Sequence, residues 1–79
     1  MAYSPARERV ADVLVRLNES ELDSELKVSR DDLASMAGTA TESLIRMLSD
    51  FKKEQLIDIE RTKIKILKAD ILKNIASGY

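Results

Sequence analysis

A mainly helical domain carrying a small β-hairpin, an α+β class built on a three-helix core, is what this sequence predicts. Three observations predict it. Apolar residues recur every three or four positions in separate stretches, as one buried helix face requires. Two of those stretches are joined by a single glycine, Gly38. After Leu56 the helical rhythm gives way to two short alternating runs, Ile57 with Ile59 and Ile64 with Ile66.

Ser4-Pro5 opens the first helix, with serine as N-cap and proline where a missing N–H costs nothing. Val10, Val13, Leu14 and Leu17 follow as its buried stripe. Residues 18–25 are acidic, lack periodicity and read as a loop. Leu26-Lys27-Val28 alternates and reads as a short strand. Ser29 then starts the second helix, with Asp32 three residues on resembling a capping box with a shortened acid. That helix should end near Ala37.

Thr39 is expected to cap the third helix, with Glu42 at the reciprocal position of a capping box. Along it Leu44, Met47, Leu48 and Phe51 fall within about 100° of one another. Glu42, Arg46, Ser49 and Lys53 share the opposite face, with Ile45 to one side. The alternating runs make a hairpin around Glu60-Arg61-Thr62-Lys63. Because glycine and asparagine are missing there, a loop of about four residues is expected rather than a tight two-residue turn. Ile71, Leu72 and Ile75 form a last short amphipathic helix.

The stretch SRDDLASMAGTATESLIRM, residues 29–47, carries the decisive arrangement. Two helices cross steeply only if the chain between them turns tightly and little side chain stands at the crossing. Ala34 is the small contact, and Gly38 can take positive φ without steric cost. This is the pattern of a helix-turn-helix, whose second helix enters the DNA major groove. With the hairpin behind it, the expected architecture is a winged helix-turn-helix.

Composition bounds the chemistry. The 79 residues make one small domain, residues 1–79, without cysteine or histidine. Thiolate metal sites and disulfides are thereby excluded, along with the commonest general base. No enzyme, metal site or cofactor is expected. No apolar run approaches the roughly 20 residues of a membrane span, and a cytoplasmic protein is expected. The net charge is −1, but residues 43–79 hold eight Lys and Arg against five Asp and Glu. A polarised domain can meet a polyanion with one face despite a near-neutral total.

Residues 30–66 resemble the C-terminal DNA-binding domain of CRP/FNR-type bacterial transcription regulators. The matching features are Arg30 followed by Asp32 and then Leu33-Ala34, Gly38, the run Glu42-Ser43-x-x-Arg46, and Leu56-Ile57 opening the wing. Arg9-Val10-Ala11 with later leucines is similar to the family's first helix in this domain. The resemblance covers most of residues 5–76. Such regulators carry an N-terminal effector domain and a long dimerisation helix, so it implies a piece of a longer, homodimeric regulator.

The resemblance further implies that Glu42 and Arg46 read base edges. A guanidinium fork matches guanine O6 and N7, and a carboxylate can accept from cytosine N4. For Glu42 the capping role toward Thr39 stays open beside base contact. Thr41 stands where the catabolite activator branch often has arginine, and Ile45 where the FNR branch tends to have serine. Thr41 can reach a phosphate or a base, or simply start the helix. Ile45 can touch a thymine methyl or lie half-buried. Ser29, Thr39 and Ser43 lie near helix N-termini, where N–H groups favour a phosphate. Arg61, Lys63 and Lys65 in the wing are candidates for the DNA backbone, with Lys52 and Lys53 as helpers. The acidic loop 18–25 is expected to face away from DNA, and the resemblance suggests RNA polymerase as its partner.

Sequence-specific binding of double-stranded DNA is therefore the expected function. A winged-helix module that binds protein and not DNA is the alternative, and the salt dependence of duplex binding separates the two.

Overall fold

The computed structural model describes residues 5–20, 25–26, 28–61 and 63–78. The elements run α1 (Pro5–Ser20), β1 (Glu25–Leu26), α2 (Arg30–Ala37), α3 (Thr41–Lys53), β2 (Ile57–Glu60), β3 (Lys63–Ile66) and α4 (Ala69–Ala76). The expected order of helix, strand, two helices, hairpin and helix is the order observed. Helix α1 begins at Pro5, as its fixed φ favours; the expected cap, Ser4, lies outside the described residues.

One core unites these elements. Val10, Val13 and Leu14 of α1 meet Leu33, Ala34 and Ala37 of α2, Leu44, Leu48 and Phe51 of α3, Ile57, Ile64 and Ile66 of the sheet, and Leu72 of α4. Leu17 and Met47, expected in the buried stripes, are only partly covered. Among the described residues no polar or charged side chain is buried. Burial of about 0.8 kcal/mol per methylene is thus the main force holding α3 in place.

Ser29 caps α2: its hydroxyl accepts from the Asp32 N–H at 3.0 Å. The helix closes at Gly38, at φ 67° and ψ 36°. Gly38 N–H donates to Ser35 O at 3.2 Å, and Thr39 N–H donates to Ala34 O at 2.9 Å. These are the two hydrogen bonds of a Schellman motif.

That motif corrects the expected start of α3. Because Thr39 completes the end of α2, the N-cap passes to Ala40, at φ −71° and ψ 149°, which has no side chain to cap with. Glu42 therefore stands at the second helical position, one short of the box position for the actual cap, Ala40.

Three further expectations change. Residues 18–20 are the last turn of α1, not loop, and Glu19 meets Lys73 of α4 at 3.5 Å. Residues 21–24 lie outside the described set. The short strand covers Glu25–Leu26 and not Leu26 to Val28; Lys27 lies outside the described residues. The hairpin loop is two residues long, because Glu60 pairs with Lys63. Arg61 takes φ 58°, the left-handed value that two-residue hairpins need at their first loop position.

The sheet has the order β1-β3-β2, antiparallel throughout. Ile57 opposes Ile66 and Ile59 opposes Ile64, all toward the core side. Asp58 opposes Lys65 and Glu60 opposes Lys63 on the outward face.

Candidate nucleic-acid interface

Helix α3 is amphipathic, and its two faces have different work. Leu44, Leu48 and Phe51 anchor it, while Glu42, Ile45, Arg46, Ser49 and Lys53 are exposed. Glu42 and Arg46 are four residues apart, so they stand one turn apart on the same outer face. Among the described residues neither side chain has a hydrogen-bond or ion-pair partner. Ile45 keeps 50% of its surface exposed beside them, an apolar group of the kind that fits a thymine methyl.

Two arginines of α1 fix the ends of the helices. Arg9 Nε donates to Ala37 O at 2.9 Å, which satisfies a terminal carbonyl of α2 where the helix dipole is negative. Arg7 Nη2 donates to Glu54 Oε1 at 2.8 Å, and its guanidinium stands 4.7 Å from the centre of the Phe51 ring. The second contact combines an ion pair with a cation–π interaction at the C-terminus of α3. Neither role was visible in the sequence, since the partners lie 28 and 47 residues away.

At the other end of α3, Thr41 is half-buried and its hydroxyl donates to Asp31 Oδ1 at 3.0 Å. The turn thus brings the first turns of α2 and α3 together. Asp31 is one of two acids in the first turn of α2, and no local spacing in the sequence marks this contact. Thr39 and Ser43 are half-buried, and Ser29 is exposed but already engaged as a cap.

The wing supplies Arg61 at its tip, exposed. Lys63 and Lys65 are exposed too, but each stands directly opposite a carboxylate across the hairpin. Directly opposed residues have Cβ atoms about 5 Å apart, so the outward face of the hairpin strands is close to neutral. The wing's unbalanced positive charge is at Arg61. Lys52 and Lys53, both exposed, add positive charge in the last turn of α3.

Among the described residues no group of three acidic side chains is placed to hold a metal ion, and no helix is long and apolar enough to cross a membrane.

The family model of the Crp-like helix-turn-helix domain matches residues 8–75. The chain belongs to that family. It is 28% identical over 78 residues to the cyclic AMP receptor protein of Thermus thermophilus, a match that spans 99% of this chain and 36% of the relative. The fold is similar to the crystal structure of the Thermus thermophilus catabolite activator protein, with TM-score 0.89, 30% identity and coverage of 94% of this chain and 35% of that one. A transcriptional regulator of the CRP/FNR family from Eubacterium rectale matches with TM-score 0.85 and 32% identity over 90% of this chain and 33% of its own. The chain thus spans about a third of the length of these relatives. Fold and family together make it a winged helix-turn-helix of the Crp-like kind.

Proposed function

We propose that α3 lies in the major groove of duplex DNA, where Arg46 and Glu42 read base edges and Ile45 adds an apolar contact. The observation that carries this reading is the pair of charges Glu42 and Arg46, unpartnered among the described residues, on the outer face of a helix whose other face is locked into the core. A base-reading side chain must be free of intramolecular partners yet fixed in position, and α3 supports both demands. Arg61 meets a phosphate from the wing tip, with Lys52 and Lys53 in support, while Lys63 and Lys65 contribute less because Glu60 and Asp58 oppose them. Thr39 and Ser43 lie beside the start of α3 and can approach the backbone there; Ser29 serves its cap.

Such binding needs no catalytic step and no cofactor in this domain, and it would take place in the cytoplasm. A single helix covers one half-site, so two copies would align their α3 helices about 34 Å apart on a two-fold-symmetric site. In that assembly the acidic stretch 18–25 is repelled by DNA and is left for a protein partner, for which RNA polymerase is our proposal.

Fluorescence anisotropy with duplexes selected from a random pool tests the reading. Arg46→Ala should weaken binding to the selected duplex by about 1–3 kcal/mol and leave weak, salt-sensitive binding to random duplex. Equal losses on both duplexes would refute base reading by Arg46.

A further inference from the structure

The hydrogen bond between Thr41 and Asp31 fixes what Thr41 can offer to a third group. A threonine hydroxyl has one hydrogen and two lone pairs, and an ionised carboxylate only accepts. The hydrogen therefore points at Asp31 Oδ1, 3.0 Å away. What remains for a ligand is the pair of lone-pair directions and the γ-methyl group. In the major groove, cytosine N4 and adenine N6 can donate to such lone pairs, and thymine offers a methyl for the methyl. Guanine offers only the acceptors N7 and O6. Set against guanine, Thr41 would oppose lone pair to lone pair.

We propose that Asp31 is a specificity-determining positioning residue: by holding the hydroxyl hydrogen of Thr41, it makes α3 reject guanine at the base Thr41 faces. The inference rests on the major-groove reading of α3 given above. It assigns Asp31 a task that no contact of its own with DNA would provide, since a carboxylate beside phosphates is repelled. Simple repulsion would weaken all duplexes alike, whereas a fixed hydrogen discriminates at one base. Released from Asp31, the Thr41 hydroxyl could turn its hydrogen onto N7 or O6 and guanine would be admitted.

Selection from randomised duplexes, run in parallel on the native chain and on Asp31→Ala, Asp31→Asn and Thr41→Val, tests this. The native chain should deplete guanine at one position by about fivefold or more, the lower end of a base-contact effect. Asp31→Ala should restore guanine there and leave the Arg46-dependent preference unchanged. Asp31→Asn should keep only part of the depletion, because its amide can turn either its oxygen or its N–H to the hydroxyl. Thr41→Val, which changes no residue of α2, should lose the depletion, and adding Asp31→Ala to it should change nothing more.

Matching profiles for the native chain and Asp31→Ala would overturn the inference, as would an equal affinity change on every duplex. So would Thr41→Val retaining the depletion. In those cases a preference that Arg46→Ala erases would leave the reading of α3 standing. Absence of any enrichment by the native chain would overturn that reading and this inference together.

Discussion

Replacing Gly38 by alanine should cost this domain about 1 kcal/mol, a value that follows from two terms. The residue sits at φ 67°, and a β-carbon built there meets no atom within 4 Å. Collision with α1 or α3 is therefore ruled out as a contribution. What remains is the left-handed backbone, which costs an L-residue about 1–2 kcal/mol. Against it stands the smaller freedom of alanine in the unfolded chain, about 0.4–1 kcal/mol in the mutant's favour. For a domain of this size 1 kcal/mol corresponds to about 4–8 °C in Tm. Thermal and urea unfolding followed by circular dichroism would measure it, with Gly38→Asn as an intermediate case because asparagine tolerates the left-handed region. DNA affinity measured well below Tm should be unchanged. A loss above about 3 kcal/mol, beyond the range of single-residue backbone strain, would refute the reasoning, because the side chain would then be meeting something. A net gain in stability would refute it from the other side.

The opposite change belongs at Gln55, which ends α3 at φ 65°. Gln55→Gly should raise stability by about 0.5–1 kcal/mol and Tm by a few degrees, read by the same unfolding measurements. In the wing, Arg61→Ala should lower the slope of log K against log salt by about 1, the loss of one phosphate contact. Lys65→Ala, with Asp58 facing it across the hairpin, should change that slope by clearly less; anisotropy titrations at several salt concentrations would compare them, and equal effects would contradict the charge pairing.

Much of this fold could be read from residue order because its signals are local. Ser29, Gly38, the stripe from Leu44 to Phe51 and the alternation of the hairpin each declare themselves within a few positions. The outward placement of Glu42 and Arg46 follows from the same periodicity. What escaped reading depends on neighbours. Thr39 looks like a cap by type, but its N–H and position are taken by the end of α2. Arg61 has no compositional mark of a left-handed residue, so the turn came out two residues shorter than expected. The last turn of α1 is acidic and aperiodic, and its Glu19 finds a cation on α4. Arg7, Arg9 and Asp31 act across 47, 28 and 10 residues, and no local pattern announces contacts of that kind.

Strand β3 pairs on one side with the segment that leads into α2 and on the other with the segment that follows α3. The pair of crossing helices is thus clasped at both ends by a single ribbon. Neither end can fray without unzipping β3, so amide exchange across α2, α3 and the hairpin should slow or quicken as one cooperative block. A force on the wing tip, such as the pull of a phosphate on Arg61, is thereby transmitted through hydrogen-bonded backbone to the seat of the groove-facing helix.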